Sequence, residues 1–264
     1  MIHQRIQLPH CPMDAYIPTL KTAPGVKRPS VVICPGGGYE HLSDREAEPI
    51  ALVFAAMGFN AFVVWYRIAP HRHPAALQDV ASAVAWVRAH AEDFSAEENA
   101  IAVIGFSAGG HAAGHLGVRW QNEALMAHLG YTCEAVRPNA MVLCYPVITG
   151  GEFAHRGSFR NLTGTDDLAI HEAYSLDALV SDETPPAFLW HTFEDAAVPV
   201  ENTLNMASAL RRHKVLTEVH IFPHGSHGLA LANPLTSVYP GQNVPECAQW
   251  PEMAARFLRG VMLK

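Results

Sequence analysis

The chain is short of positive charge, of paired cysteines and of long apolar runs, and each shortage narrows what it can do. Lys and Arg number 18 against 25 Asp and Glu, a formal net charge of -7, and no basic cluster stands out. Phosphate backbones are bound by basic surfaces, so a nucleic-acid partner is not expected. The five cysteines (Cys11, Cys34, Cys133, Cys144, Cys247) are odd in number, scattered and without a C-x-x-C pair. Reduced thiols are therefore expected, as in a cytoplasm. No window reaches the roughly 20 apolar residues of a membrane span. The N-terminus "MIHQRIQLPHCPMDAYIPTL" also lacks the charged-then-apolar order of a secretion signal. A soluble cytoplasmic protein with no membrane partner is the expectation, and self-association is left open.

What is present is a core. Hydrophobic residues make up 49% of 264 and charged residues 16%, enough to bury one sizeable α/β domain spanning 1–264. Short apolar runs alternate with helical patterns. "SVVICP", "NAFVVWYR", "AIAVIGF", "NAMVLCYPV", "PAFLWHT" and "LTEVHIF" read as strands. "EAEPIALVFAAMG", "ALQDVASAVAWVRAHA", "AGGHAAGHLGVRW", "VENTLNMASALRRH" and "CAQWPEMAARFLRG" read as helices. Such alternation predicts a mostly parallel sheet covered on both faces, with its chemistry at the carboxyl ends of the strands. A polar insertion at 149–183 and a Pro-rich loop at 232–246 break the rhythm, and either could roof a pocket.

One serine stands where a strand hands over to a helix. "GFSAG" fits G-x-S-x-G at Gly105, Phe106, Ser107, Ala108 and Gly109. A serine on so tight a turn sits in strained backbone, tolerates only small residues two places away, and is lifted clear of the sheet. The following helix aims its first amides at the same point. A turn whose serine merely caps the helix is the competing reading.

A nucleophilic serine needs a base, an orienting acid and oxyanion donors. Asp195 follows the strand "PAFLWHT" in "FEDAAVPV", beside Glu194. His224 and His227 follow "LTEVHIF" in "PHGSHGLA", and Gly228 leaves room beside the second ring, so His227 is the candidate base. Singly, Asp195 could cap a helix and His227 could be a solvated loop residue. Jointly they follow Ser107 in the order acid then histidine, each past a strand. After the first long strand comes "CPGGGY". Amides of Gly37 or Gly38, with that of Ala108, are the candidate oxyanion hole. A phosphate loop is the poorer reading, because neither G-x-G-x-x-G nor Gly-Lys-Ser/Thr is present.

These motifs, with "WYRIAPHRHPAALQD", resemble the α/β-hydrolase superfamily, in the carboxylesterase branch of acetyl-xylan and feruloyl esterases and hormone-sensitive lipase. The likeness runs from about Val31 to the final helix. It implies an α/β-hydrolase fold with the 149–183 insertion as a small cap after strand 6, and a Ser107–His227–Asp195 triad. It implies no cofactor and no metal, and a small-molecule or oligosaccharide ester as partner. Pro35 stands where relatives often carry the histidine of H-G-G-G, which leaves the glycine amides intact and points toward sugar esterases. Tyr66, Arg67 and Asp79 read as scaffold. Tyr39 and His111 are the candidate substrate-binding residues, although for His111, one turn past Ser107, helix packing is the favoured reading. His155, Arg156 and Arg160 could line a pocket. His71 and His73 lack the carboxylate spacing of a metal site. The expected activity is hydrolysis of short-chain acyl esters, with O-acetyl groups on sugars foremost. An arylformamidase-like amidase and a non-catalytic receptor on the same fold are the alternatives.

Overall fold

The apolar strands carry β-branched residues on both sides because both faces of the sheet are covered. The computed structural model describes residues 1–20 and 25–263. Its strands are β1 (Ile2–Gln7), β2 (Pro12–Ile17), β3 (Arg28–Cys34), β4 (Asn60–Val64), β5 (Ala96–Phe106), β6 (Ala140–Cys144), β7 (Ala187–Thr192) and β8 (Thr217–Phe222). Its helices are α1 (Glu48–Ala56), α2 (Ala75–Ala89), α3 (Ala108–Arg119), α4 (Glu123–Leu129), α5 (Cys133–Val136), α6 (Arg156–Thr163), α7 (Leu168–Ala173), α8 (Glu201–Arg212) and α9 (Trp250–Met262). The sheet order is β1-β2-β4-β3-β5-β6-β7-β8. β1 and β2 are antiparallel, and β4 through β8 run parallel to β3.

Alternate residues of each strand feed two cores. Val32 and Cys34 of β3, with Ile101 and Val103 of β5, face α2, α3 and α8. Val31, Ile33, Ala102, Ile104 and Phe106 face α1 and α9. The α2 stripe of Leu77, Val80, Ala81, Val84 and Val87 recurs at helical spacing and is buried against the first core. Each fully buried aliphatic side chain of this kind contributes about 1.5–3 kcal/mol. Helix α3 carries glycines yet holds, because they allow close approach to the sheet. A Cβ on Gly117 would lie 2.1 Å from the Met141 sulfur.

The chain leaves β3 to form β4 on one side, then crosses through α2 to form β5 on the other. That reversal opens a crevice at the carboxyl ends of β3 and β5. Cys34 pairs with Gly105, so the segments "PGGGY" and "SAGG" emerge side by side.

Two expectations change. The N-terminal segment, read for signals alone, forms the β1–β2 hairpin and extends the sheet past β4. The strand "NAFVVWYR" ends early, at Val64. The Arg67 backbone N–H is taken at 2.7 Å by Asp79, and the Tyr66 hydroxyl donates to the Pro35 carbonyl at 2.6 Å. Among the described residues, no helix is long and apolar enough to cross a membrane.

Candidate active site

Ser107 sits at φ +53° and ψ -119°, a conformation that L-residues rarely adopt, as the first turn of α3 begins. The flanking residues are small for a steric reason. A Cβ on Gly105 would lie 2.2 Å from the Gly109 carbonyl oxygen, and one on Gly109 would lie 2.2 Å from that of Cys34. The Ser107 N–H donates to the Cys144 carbonyl at 3.0 Å, and its own carbonyl accepts from Val147 and His111. The residue is only 8% exposed, so its hydroxyl meets solvent through the crevice alone.

The loops after β7 and β8 reach back to this hydroxyl. His227 Nε2 lies 2.7 Å from Ser107 Oγ, and His227 Nδ1 lies 2.6 Å from Asp195 Oδ2. Two backbone amides, of Ala197 and Val198, donate to Asp195 Oδ1 at 3.0 and 2.9 Å. Burial raises the affinity of Asp195 for a proton. Hydrogen bonds from His191 and His227 and the backbone outweigh that and hold its carboxyl well below the usual carboxylate range. An ionised Asp195 fixes His227 with Nδ1 protonated and Nε2 free to accept from serine. The Tyr145 ring stands 5.2 Å from that of His227 and limits its tilt. His224 lies elsewhere: it pairs with Glu194 at 2.9 Å, and both are exposed.

Across the crevice, Gly37 and Gly38 adopt φ +126° and +66°, which turns their amides inward. The amides of Gly37, Gly38 and Ala108 have no hydrogen-bond acceptor among the described residues. Buried Glu46 anchors the loop, accepting from the Gly36 N–H at 2.8 Å and from the Tyr145 hydroxyl at 2.6 Å. Gly36 could carry no side chain there, since a Cβ would lie 2.6 Å from Glu46 Oε2. Tyr145 in turn accepts from the Ala230 N–H at 2.9 Å, which links the glycine loop to the histidine loop.

The crevice has a volume of about 290 Å³, and Glu40, His41, Arg45 and His155 give it a polar lining. The insertion closes one side. Asn161 of α6 donates to the Gly38 carbonyl at 2.9 Å. His155 Nδ1 accepts from Ser158, leaving Nε2 as its free ring nitrogen, and burial lowers its affinity for a proton.

Other candidates fall away from the crevice. Tyr39 and His111 do not line it. They are 3% and 0% exposed and bond to each other at 2.9 Å, because the turn after Gly38 drives the Tyr39 ring into the core. His111 Nε2 donates to the Tyr174 carbonyl, and burial pushes its pKa down to about 4. Arg156 holds the carbonyls of Gly150 and Gly151, and Arg160 pairs with Asp166 at the surface. His73 stacks on His115 at 5.1 Å, beside a pocket of about 650 Å³ whose lining does not include Ser107. Among the described residues, no cluster of three or more His, Cys, Asp or Glu could hold a metal ion.

Sequence reasoning passed over Glu46, Tyr145 and His191. The one available signal was a polar residue inside an otherwise apolar run, as with His191 in "AFLWHT".

The comparisons point the same way. The BD-FAE family model matches residues 13–210. Endo-1,4-beta-xylanase B of Butyrivibrio fibrisolvens is 36% identical over 239 residues, 88% of this chain and 37% of that protein. An acetylxylan esterase of Xylanibacter ruminicola is 31% identical over 206 residues, 75% of this chain and 40% of that protein. The chain thus spans well under half the length of these two relatives. The crystal structure of an acetyl ester-xyloside bifunctional hydrolase from Caldicellulosiruptor lactoaceticus superposes with a TM-score of 0.80 at 38% identity. That match covers 95% of this chain and 88% of the other.

Proposed function

We propose that this chain, which belongs to the BD-FAE family of the α/β-hydrolase superfamily, is a serine carboxylesterase that removes short acyl groups, acetyl above all, from sugars or oligosaccharides. The observation that carries the reading is the unbroken line from Ser107 Oγ through His227 to Asp195, at 2.7 and 2.6 Å. Ser107 attacks the ester carbonyl as His227 Nε2 takes its proton. Asp195 holds the imidazole in the accepting tautomer and stabilises the imidazolium. The Gly37, Gly38 and Ala108 amides receive the oxyanion, each such donor contributing about 3–4 kcal/mol to the transition state. His227 then protonates the leaving alcohol, and water repeats the sequence on the acyl-enzyme.

The size and lining of the crevice support the substrate class. About 290 Å³ must hold both the acyl group and the nearer part of the alcohol. Glu40, His41 and the free Nε2 of His155 supply acceptors and donors suited to sugar hydroxyls, and a long acyl chain would lie against these polar groups. The relatives named for acetylxylan and acetyl-ester hydrolysis support the same assignment.

The test is acyl-chain selectivity. p-Nitrophenyl acetate is expected to exceed the octanoate in kcat/KM by at least about tenfold, with acetate released from acetylated xylo-oligosaccharides. A preference for octanoate, or failure to deacetylate any sugar in a broad panel, would overturn the substrate class.

A further inference from the structure

We infer that His191 is a positioning residue for the acid of the triad: it donates to the same carboxylate oxygen that receives His227, and so sets where and how strongly the base is held. This rests on the Ser107–His227–Asp195 reading above. His191 is the penultimate residue of β7 and is fully buried. Its Nε2 lies 2.9 Å from the Val198 carbonyl and 3.2 Å from Asp195 Oδ2. Both partners only accept, so Nε2 carries a hydrogen and shares it between them. Its Nδ1 lies 2.7 Å from Oγ1 of Thr203, a buried residue of α8. With the ring neutral, that hydroxyl donates to Nδ1 and locks the tautomer that presents Nε2–H to Asp195.

The arrangement closes a ring. The Val198 N–H binds Asp195 Oδ1, the Val198 carbonyl binds His191, and His191 binds Asp195 Oδ2. Asp195 is thus held on both oxygens by groups that have no part in proton transfer. Removing the His191 donor leaves Oδ2 to His227 alone and leaves a buried carbonyl at Val198 unpaired. The carboxylate then rotates more freely, and its charge, no longer shared, draws more strongly on the His227 proton. The titratable and charged groups facing this centre are His227 and, lining the same crevice, Glu40, His41, Arg45, Glu46 and His155; Glu194 is taken by His224 on the solvent side.

The experiment compares His191→Leu with His191→Gln in the full chain, reading kcat and KM for an acetyl ester across pH. Glutamine carries an N–H at the reach of Nε2, whereas leucine fills the space and donates nothing. His191→Leu is expected to lower kcat about tenfold, as slight misplacement of a catalytic group does. KM stays within about twofold, and the acidic limb of kcat/KM moves about half a unit to higher pH. His191→Gln restores most of kcat and returns the limb. An unchanged kcat and limb in His191→Leu overturns the inference, as does equal loss in both variants with the limb unmoved. Should His191→Leu fail to fold, His191→Met decides: it fills the space with no donor, so the limb again moves up, and an unmoved limb overturns the inference. Ser107→Ala is the control. Full activity there sinks the triad itself, whereas loss there with wild-type behaviour in His191→Leu sinks this inference alone.

Discussion

Ser107→Ala is expected to lower kcat on acetyl esters by on the order of 10⁵-fold or more while leaving KM close to that of the unsubstituted protein. The substitution removes one oxygen from a side chain that packs little and meets solvent only through the crevice, so thermal stability barely changes. Ground-state binding is supplied by the crevice walls, which remain. What disappears is the covalent route, because His227 Nε2, 2.7 Å away, then has no hydroxyl to activate. The residual rate reports the Gly37, Gly38 and Ala108 amides acting on a water attack. Steady-state kinetics beside a thermal melt measures this. Activity within about tenfold of the starting protein, the loss of a single modest interaction, would show that Ser107 is not the nucleophile.

Asp195→Asn is expected to cost about 10⁴-fold in kcat, through a wrong tautomer rather than lost packing. The surroundings decide how the amide sits. The Ala197 and Val198 N–H groups at 3.0 and 2.9 Å require an acceptor at the Oδ1 position, so the amide nitrogen is forced to the Oδ2 position. There it faces His227 Nδ1 and His191 Nε2. It donates to Nδ1, which moves the His227 hydrogen to Nε2, and that nitrogen can no longer accept from Ser107. Raising the pH cannot repair this, since the neutral imidazole is the wrong tautomer. In the native site the carboxyl is held well below the usual carboxylate range, so Asp195 stays ionised through any ordinary assay. Its contribution to stability is present above the unfolded carboxylate range and is lost only as pH falls through the depressed value. The acidic limb of native activity therefore does not report Asp195. A pH–rate profile of Asp195→Asn that regains wild-type kcat at high pH would contradict this account.

The parallel strands were legible because their signal is local: β-branched apolar runs that end in proline, glycine or an acid. The glycines and the serine of the β5–α3 turn were legible for the same reason, since close backbone approach admits few residue types. The β1–β2 hairpin was not. Pro12 opens β2, Asp14 is half of a partly buried pair with Trp65, and β1 is mostly exposed, so neither strand shows clean alternation. Tyr39 and His111 were assigned by nearness in sequence to the oxyanion loop and to Ser107. Direction matters more than nearness: both side chains turn inward and satisfy each other. Glu46 acts through Gly36 and Tyr145, 10 and 99 residues away, Tyr145 also through Ala230, 85 away, and His191 through Asp195, 4 away; for the first two no spacing in one sequence announces the pairing.

Covalent capture addresses the central claim most directly. The protein is treated with a fluorophosphonate and the adduct is located by peptide mass mapping, with Ser107→Ala and Asp195→Asn alongside. A single adduct on Ser107, fast in the native protein, slow in Asp195→Asn and missing in Ser107→Ala, is the predicted result. Ester hydrolysis that survives without labelling, or an adduct on another residue that tracks loss of activity, would contradict it.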